Sequence, residues 1–103
     1  SQPKFVMDND EGWLAYAAPN NLLFVKKYPI YPNRVYGEVT AATSSIWYYK
    51  DTMVEIEPIG PLELLKPNES FSFTEDWWLM EYDFPTDRNL NIPKVKQIIE
   101  VLK

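Results

Sequence analysis

The segment from Met53 to Tyr82 constrains the fold of this chain more than any other part of the sequence. It contains two strand-like runs, 53–59 and 70–82, separated by a Gly-Pro break and a Pro-Asn turn. In the first run Val54 and Ile56 alternate with glutamates, which is typical of a strand with one buried face. The pattern therefore predicts a mainly β protein, an antiparallel β-sandwich.

The run 70–82 divides its large side chains between two faces, because successive residues of a strand point in opposite directions. One face carries Phe71, Phe73, Trp77 and Leu79, and the other carries Trp78, Met80 and Tyr82. We predict that the first face is the core, with Phe71, Phe73 and Trp77 buried together. The second face is then mostly solvated, and its apolar patch needs a cover.

The rest of the chain predicts further strands, all within residues 4–82, in one domain spanning 1–103. The turn at 19–21 predicts a hairpin between its two neighbouring strands. Two prolines make 29–37 an exposed aromatic loop. The predicted strands are 3–7, 13–18, 22–28, an edge strand at 38–45, and 46–50.

A single helix is predicted at 92–102, after a polar linker at 83–91. Its apolar residues recur at helical spacing, Asn91 can cap its start, and Pro93 is tolerated in the first turn. These apolar residues are Ile92, Val95, Ile98, Ile99 and Leu102.

Composition excludes several classes of function. The net charge of −5 disfavours nucleic acid and anionic membranes, which select basic surfaces. The absence of cysteine and histidine removes disulfides, thiolate nucleophiles and Ser-His pairs. No apolar run is long enough to insert into a membrane. The acidic run 8–11 lacks a recognised calcium-loop spacing, so we expect no metal site and no cofactor.

Four segments in a fixed order resemble a family of uncharacterised bacterial proteins, common in gut Bacteroidetes, with the galactose mutarotase-like supersandwich fold. They are GWLAY at 12–16, NLLFVKKYP at 21–29, VEIEPIGP at 54–61 and LKPNESFSFTEDWWL at 65–79. The family's Pro-Gly turn is Pro67-Asn68 here, and asparagine accepts the same positive φ. The resemblance implies a periplasmic or extracellular protein. It covers only a C-terminal half-sandwich, so the C-terminal helix, a second copy or a missing N-terminal half would cover the exposed sheet.

Two glutamates are the catalytic candidates. Glu55 and Glu57 project from one strand face, and Glu57 looks most like the general base that mutarotases place on a late strand. A base there needs a partly desolvated pocket and an acid partner, and the usual mutarotase acid, histidine, is absent. The alternative is that both glutamates line the solvated face of an amphipathic strand.

A second set of residues predicts a carbohydrate site. Aromatic rings can stack on the apolar face of a pyranose, and flanking polar groups can bond its hydroxyls. The residues predicted to bind the sugar are Trp78, Tyr31, Tyr36, Lys26 and Arg34, with Tyr28, Trp47, Tyr48 and Tyr49 as further aromatic candidates. The alternative is that many of these rings belong to the core and that Lys26 is solvated.

The leading functional hypothesis is a carbohydrate-associated, non-catalytic module of an exported bacterial protein. One alternative is part of a mutarotase-like or glycan-processing enzyme. The other is a structural or protein-interaction domain. Exposed rings beside polar groups would favour sugar binding, whereas an apolar counterpart would favour a protein interface.

Overall fold

The computed structural model describes residues 4–37 and 41–103 and contains six strands and one helix. No helix in this described part is long and apolar enough to cross a membrane. The elements are β1 (Lys4–Met7), β2 (Trp13–Ala18), β3 (Leu22–Lys27), β4 (Ser44–Tyr49), β5 (Met53–Pro58), β6 (Asp76–Glu81) and α1 (Ile92–Glu100).

The strands form two antiparallel three-stranded sheets, which confirms the predicted mainly β, sandwich-like fold. The first sheet has the order β1-β4-β5 and the second the order β2-β3-β6. Leu14, Tyr28 and Ile56 form a buried cluster between them. Lys26 Nζ joins the two sheets by donating to the Ile56 carbonyl at 2.9 Å.

The predicted hairpin between β2 and β3 is confirmed, and its turn chemistry is visible. Asn21 has a φ of 66°, a conformation that asparagine tolerates better than most residues. Its N–H donates to the Ala18 carbonyl at 3.1 Å and closes the turn. The register then pairs Trp13 with Lys27 at the far end of the hairpin.

Helix α1 begins where the sequence predicts and ends two residues earlier, at Glu100. The Asn91 side-chain oxygen accepts from the Lys94 N–H at 3.2 Å, as expected of an N-cap. Val95 and Ile99 are buried against Leu23 and Val25 of β3. The helix therefore covers one face of the β2-β3-β6 sheet.

The predicted core face of the 70–82 segment is wrong. Strand β6 spans only 76–81, and on it Trp77 is 63% exposed and Leu79 67% exposed. Phe71 is also exposed, whereas Phe73 is half-buried against the cluster between the sheets. The opposite face is the buried one, because α1 packs on Trp78, Met80 and Tyr82.

The remaining differences are at strand ends. The predicted edge strand 38–45 falls partly outside the described residues, and within them β4 begins at Ser44. Ala42 and Thr43, just before it, are buried without belonging to a strand. The Thr43 N–H nevertheless donates to the Met7 carbonyl at 3.0 Å, so the chain enters β4 already held against β1.

Candidate functional site

A cavity of about 570 Å³ opens between the 29–37 loop and the adjoining ends of β1 and β4, and we call it the loop cavity. Its volume lies within the range typical of small-molecule sites, roughly 300–1,000 Å³. Three of the five predicted sugar-binding residues, Tyr31, Arg34 and Tyr36, line it. The other lining residues are Asp8, Asn9, Asp10, Ile30, Pro32, Val35, Ala41 and Thr43.

The aromatic side of the loop cavity is ordered by hydrogen bonds within the loop. The Tyr31 N–H donates to the Tyr36 hydroxyl at 3.1 Å, and the Arg34 N–H donates to the Tyr31 carbonyl at 3.1 Å. Tyr36 is only 8% exposed, so its ring packs into the protein and forms part of the cavity lining. Tyr31 is half-buried and keeps more accessible surface. The loop is thus a folded turn rather than a freely solvated connection.

The strand side of the loop cavity is held by Thr43. Its hydroxyl donates to the Asn9 carbonyl at 2.6 Å and accepts from the Asn9 N–H at 3.0 Å. The Asn9 side-chain amide donates to the Ser44 hydroxyl at 2.8 Å. These bonds fix the 8–10 segment, so that Asp8 and Asp10 line the loop cavity from a defined backbone.

The charges of the loop cavity are two aspartates and one guanidinium. Arg34 forms a charge-assisted hydrogen bond with Glu63, which brings the end of the 59–63 segment against the loop. The remaining carboxylates, Asp8 and Asp10, leave the loop cavity acidic. It presents acceptors for hydroxyl groups and a poor environment for a further anion.

A buried polar cluster lies behind the loop cavity, where Tyr28 meets Asn9 and Ser44. Burial raises the pKa of the Tyr28 phenol and outweighs the opposite effect of Ser44 and Asn9. Among the described residues, neither the Tyr28 hydroxyl nor Asn9 Oδ1 has a hydrogen bond of ordinary geometry. Tyr28 is therefore a neutral packing residue rather than a stacking surface.

The other two predicted sugar-binding residues, Lys26 and Trp78, lie away from the loop cavity. Lys26 bridges the two sheets, with its Nζ 3.6 Å from Glu75 Oε1 and 4.9 Å from the Trp77 ring centroid. Trp78 packs against α1, and Lys27 Nζ lies 5.6 Å from its ring centroid. The structure does not bring the five predicted residues into one site.

The catalytic candidates lie on the outer face of the first sheet. Glu55 stands opposite Trp47 and Glu57 opposite Ser45, and both glutamates are exposed. Neither carboxylate has a hydrogen-bond or ion-pair partner within residues 4–37 and 41–103. Both glutamates line a cavity of about 340 Å³ together with Lys26. Lys26 Nζ already donates to the Ile56 carbonyl and lies 3.6 Å from Glu75 Oε1. Because a general base works from a partly desolvated position and Glu57 is exposed, this geometry offers it little support for that role.

An aromatic pair beside Glu55 is a second possible surface for a sugar ring. The Trp47 and Tyr49 rings are nearly parallel, at 10°, with centroids 6.4 Å apart. Lys4 and Glu55 flank Trp47 in register on the neighbouring strands. Sequence reasoning named both aromatics but did not connect them to Lys4, because strand register decides that neighbourhood.

Asp8, Asp10 and Thr43 are the site residues that sequence reasoning missed. The acidic run 8–11 has no recognised calcium-loop spacing, and nothing local connects it with a loop more than twenty residues later. In the described part of the chain, no cluster of three or more acidic side chains could hold a metal ion. Comparison with protein-family models, with curated proteins and with solved structures finds no match to this chain.

Proposed function

We propose that this protein is a carbohydrate-binding module that holds a neutral sugar in the loop cavity. The observation that carries the proposal is the convergence of Tyr31, Arg34 and Tyr36 with Asp8 and Asp10 around one cavity of about 570 Å³. The resemblance to exported mutarotase-like proteins supports the same function and a periplasmic or extracellular location.

The chemistry of the lining suits a pyranose. Tyr31 supplies an aromatic face for the C–H groups of the ring, and the two aspartates accept hydrogen bonds from hydroxyls. Arg34 is a donor whose charge is already shared with Glu63. Uronic acids would meet uncompensated carboxylates, so neutral sugars should bind more tightly than their acidic counterparts.

Binding without catalysis is the form of the proposal that the geometry supports. The exposed position of Glu57 favours binding over the mutarotase-like alternative. The protein-interaction alternative places an interface on Trp78, Met80 and Tyr82 or on the helix, and these residues do not line the loop cavity.

A ligand-observed NMR titration with neutral hexoses, short neutral oligosaccharides and the matching uronic acids tests the proposal. We expect saturable binding of a neutral sugar that Tyr31→Ala weakens at least tenfold. Tyr49→Ala is the matched control, because it removes a tyrosine from the exposed pair on β4 and leaves the loop cavity intact.

Two results would overturn the proposal. One is the absence of saturable binding for every neutral sugar at millimolar concentration. The other is binding that survives Tyr31→Ala but is lost in Tyr49→Ala, since that places the sugar on the outer face of the first sheet. Far-UV circular dichroism of each variant checks that the fold is retained.

A further inference from the structure

The first sheet covers one face of the second sheet only in part, at the cluster of Leu14, Tyr28 and Ile56. The rest of this face forms an apolar groove of about 470 Å³, which we call the inner groove. Helix α1 covers the opposite face of the second sheet. The inner groove is built mainly from Tyr16, Leu22, Phe24, Trp77 and Leu79.

A second apolar surface is the segment 62–72, which we call the arm. It belongs to no strand or helix, and all of its residues except Glu63 are exposed. Leu64 is 88% exposed, and Leu62, Leu65 and Phe71 also present their side chains to solvent. The turn at its tip is nevertheless ordered, since the Glu69 N–H donates to the Lys66 carbonyl at 3.0 Å.

The chain is less compact than a typical domain of its length, as expected when the arm and the inner groove are both uncovered. The Cα radius of gyration is 15.5 Å. A compact domain of this length has a value of roughly 13 Å. The direct observation is exposure: Leu64 of the arm and Trp77 and Leu79 of the inner groove are all largely exposed, so the arm does not pack into the groove of its own chain.

The exposed area matches what a stable dimer needs. If a large apolar side chain offers roughly 150–250 Å², the exposed fractions in the arm and the inner groove correspond to about 600–1,000 Å² per copy. A specific interface buries about 800 Å² on each partner, and monomers rarely expose contiguous apolar patches beyond a few hundred Å².

The positions of the two surfaces suit a two-fold arrangement. The arm begins near Gly60, where Phe73 packs beside Tyr28 at one end of β3. The inner groove extends along the strand, from Leu22 and the hairpin turn to Trp77, which stands opposite Lys26. Two copies packed antiparallel along β3 would place each arm beside its partner's groove.

We propose that the chain forms a two-fold symmetric dimer in which the arm of each copy packs into the inner groove of the other. The contact is reciprocal, as a closed two-fold interface requires. Each copy carries a net charge of −5, so added salt should tighten the dimer by screening the repulsion.

Sedimentation equilibrium over a dilution series tests the dimer. We expect a monomer–dimer equilibrium whose dissociation constant rises at least tenfold in Leu79→Glu and in Leu64→Glu. Val101→Glu is the matched control, because Val101 is 74% exposed and lies beyond α1, away from both surfaces. A chain that is monomeric at all concentrations, or a dimer unaffected by Leu79→Glu, overturns the proposal.

Disulfide trapping gives an independent test, since the chain has no cysteine of its own. Mixing Leu64→Cys with Leu79→Cys under oxidising conditions should give mixed disulfide dimers at least ten times faster than mixing Leu64→Cys with Val101→Cys. Equal rates for the two mixtures would show that the arm does not reach the inner groove.

Discussion

Trp77 and Trp78 are neighbours in β6 and have opposite environments. Trp78 packs with Leu23, Val25 and α1, whereas Trp77 is 63% exposed on the inner groove. The comparison shows that alternation separates the two faces of a strand without saying which of them is buried. The burial of a face depends on the element that packs against it.

The strands beside β6 carry part of the information on which of its faces is buried. In the register Trp78 stands opposite Val25 and Trp77 stands opposite Lys26. Ala15 and Ala17 on β2 add small side chains to the Trp78 face, which lets a helix approach closely. Lys27 lies on the same face as Trp78, so the pairing of β3 with β6 alone does not show which face is buried.

The largest expected effect is the difference in unfolding free energy between truncating a leucine on the face that α1 covers and truncating one in the inner groove. Leu23→Ala, at 1% exposure, should lower the free energy of unfolding by about 2–5 kcal/mol. Leu79→Ala, at 67% exposure, should change it by less than about 0.5 kcal/mol. Urea unfolding at a dilution where the chain is monomeric measures both, and equal losses would contradict the assignment of faces.

The tryptophan pair gives the next largest effect. Trp78→Ala removes packing against α1 and should cost about 2–4 kcal/mol of unfolding free energy, whereas Trp77→Ala should cost less than about 1 kcal/mol. Acrylamide quenching of tryptophan fluorescence adds a second readout. We expect a larger decrease in the quenchable signal in Trp77→Phe than in Trp78→Phe, and the reverse order would show that Trp77 is the buried ring.

A change at the start of α1 tests whether the helix is what protects the Trp78 face. Asn91→Ala removes the side-chain acceptor for the Lys94 N–H and should destabilise the protein by about 1 kcal/mol. Hydrogen exchange should then increase in α1. Asn68→Ala is unsuitable as a control because Asn68 has a positive φ of 71°, so Asn20→Ala serves instead. Unchanged protection in α1 would contradict the capping role.

The smallest effect concerns Tyr28, on the part of the inner face that the first sheet covers. Burial raises its pKa, so at alkaline pH the unfolded chain ionises first, and stability falls as the pH rises above the ordinary tyrosine value near 10. Tyr28→Phe should reduce this alkaline loss and change stability at pH 7 by less than about 1 kcal/mol. Urea unfolding at pH 7 and pH 10.5 measures both, and an unchanged alkaline loss would contradict the prediction.

The candidate site was only partly predictable. The proline-bounded loop around Tyr31 and Tyr36 is a local feature, and its aromatic content is visible in the sequence. Asp8 and Asp10 join it because β1 pairs with β4, which brings segments more than thirty residues apart into contact through Asn9 and Thr43. Such long-range pairing has no local signature, and for the same reason Lys26 and Trp78 were grouped with a loop that they do not contact.

The sequence by itself determined β1, β2, β3 and β5 to within a residue, together with the Asn21 hairpin and the Asn91 cap, because these depend on residues within a few positions of one another. Tertiary structure decided that Trp78 is covered by α1, that Trp77 is exposed and that Tyr36 lines the loop cavity with a mostly buried ring. The physical reason is that a face becomes buried only when another element packs against it. A strand offers two faces, and the free energy of packing α1 against Leu23 and Val25 selects one of them.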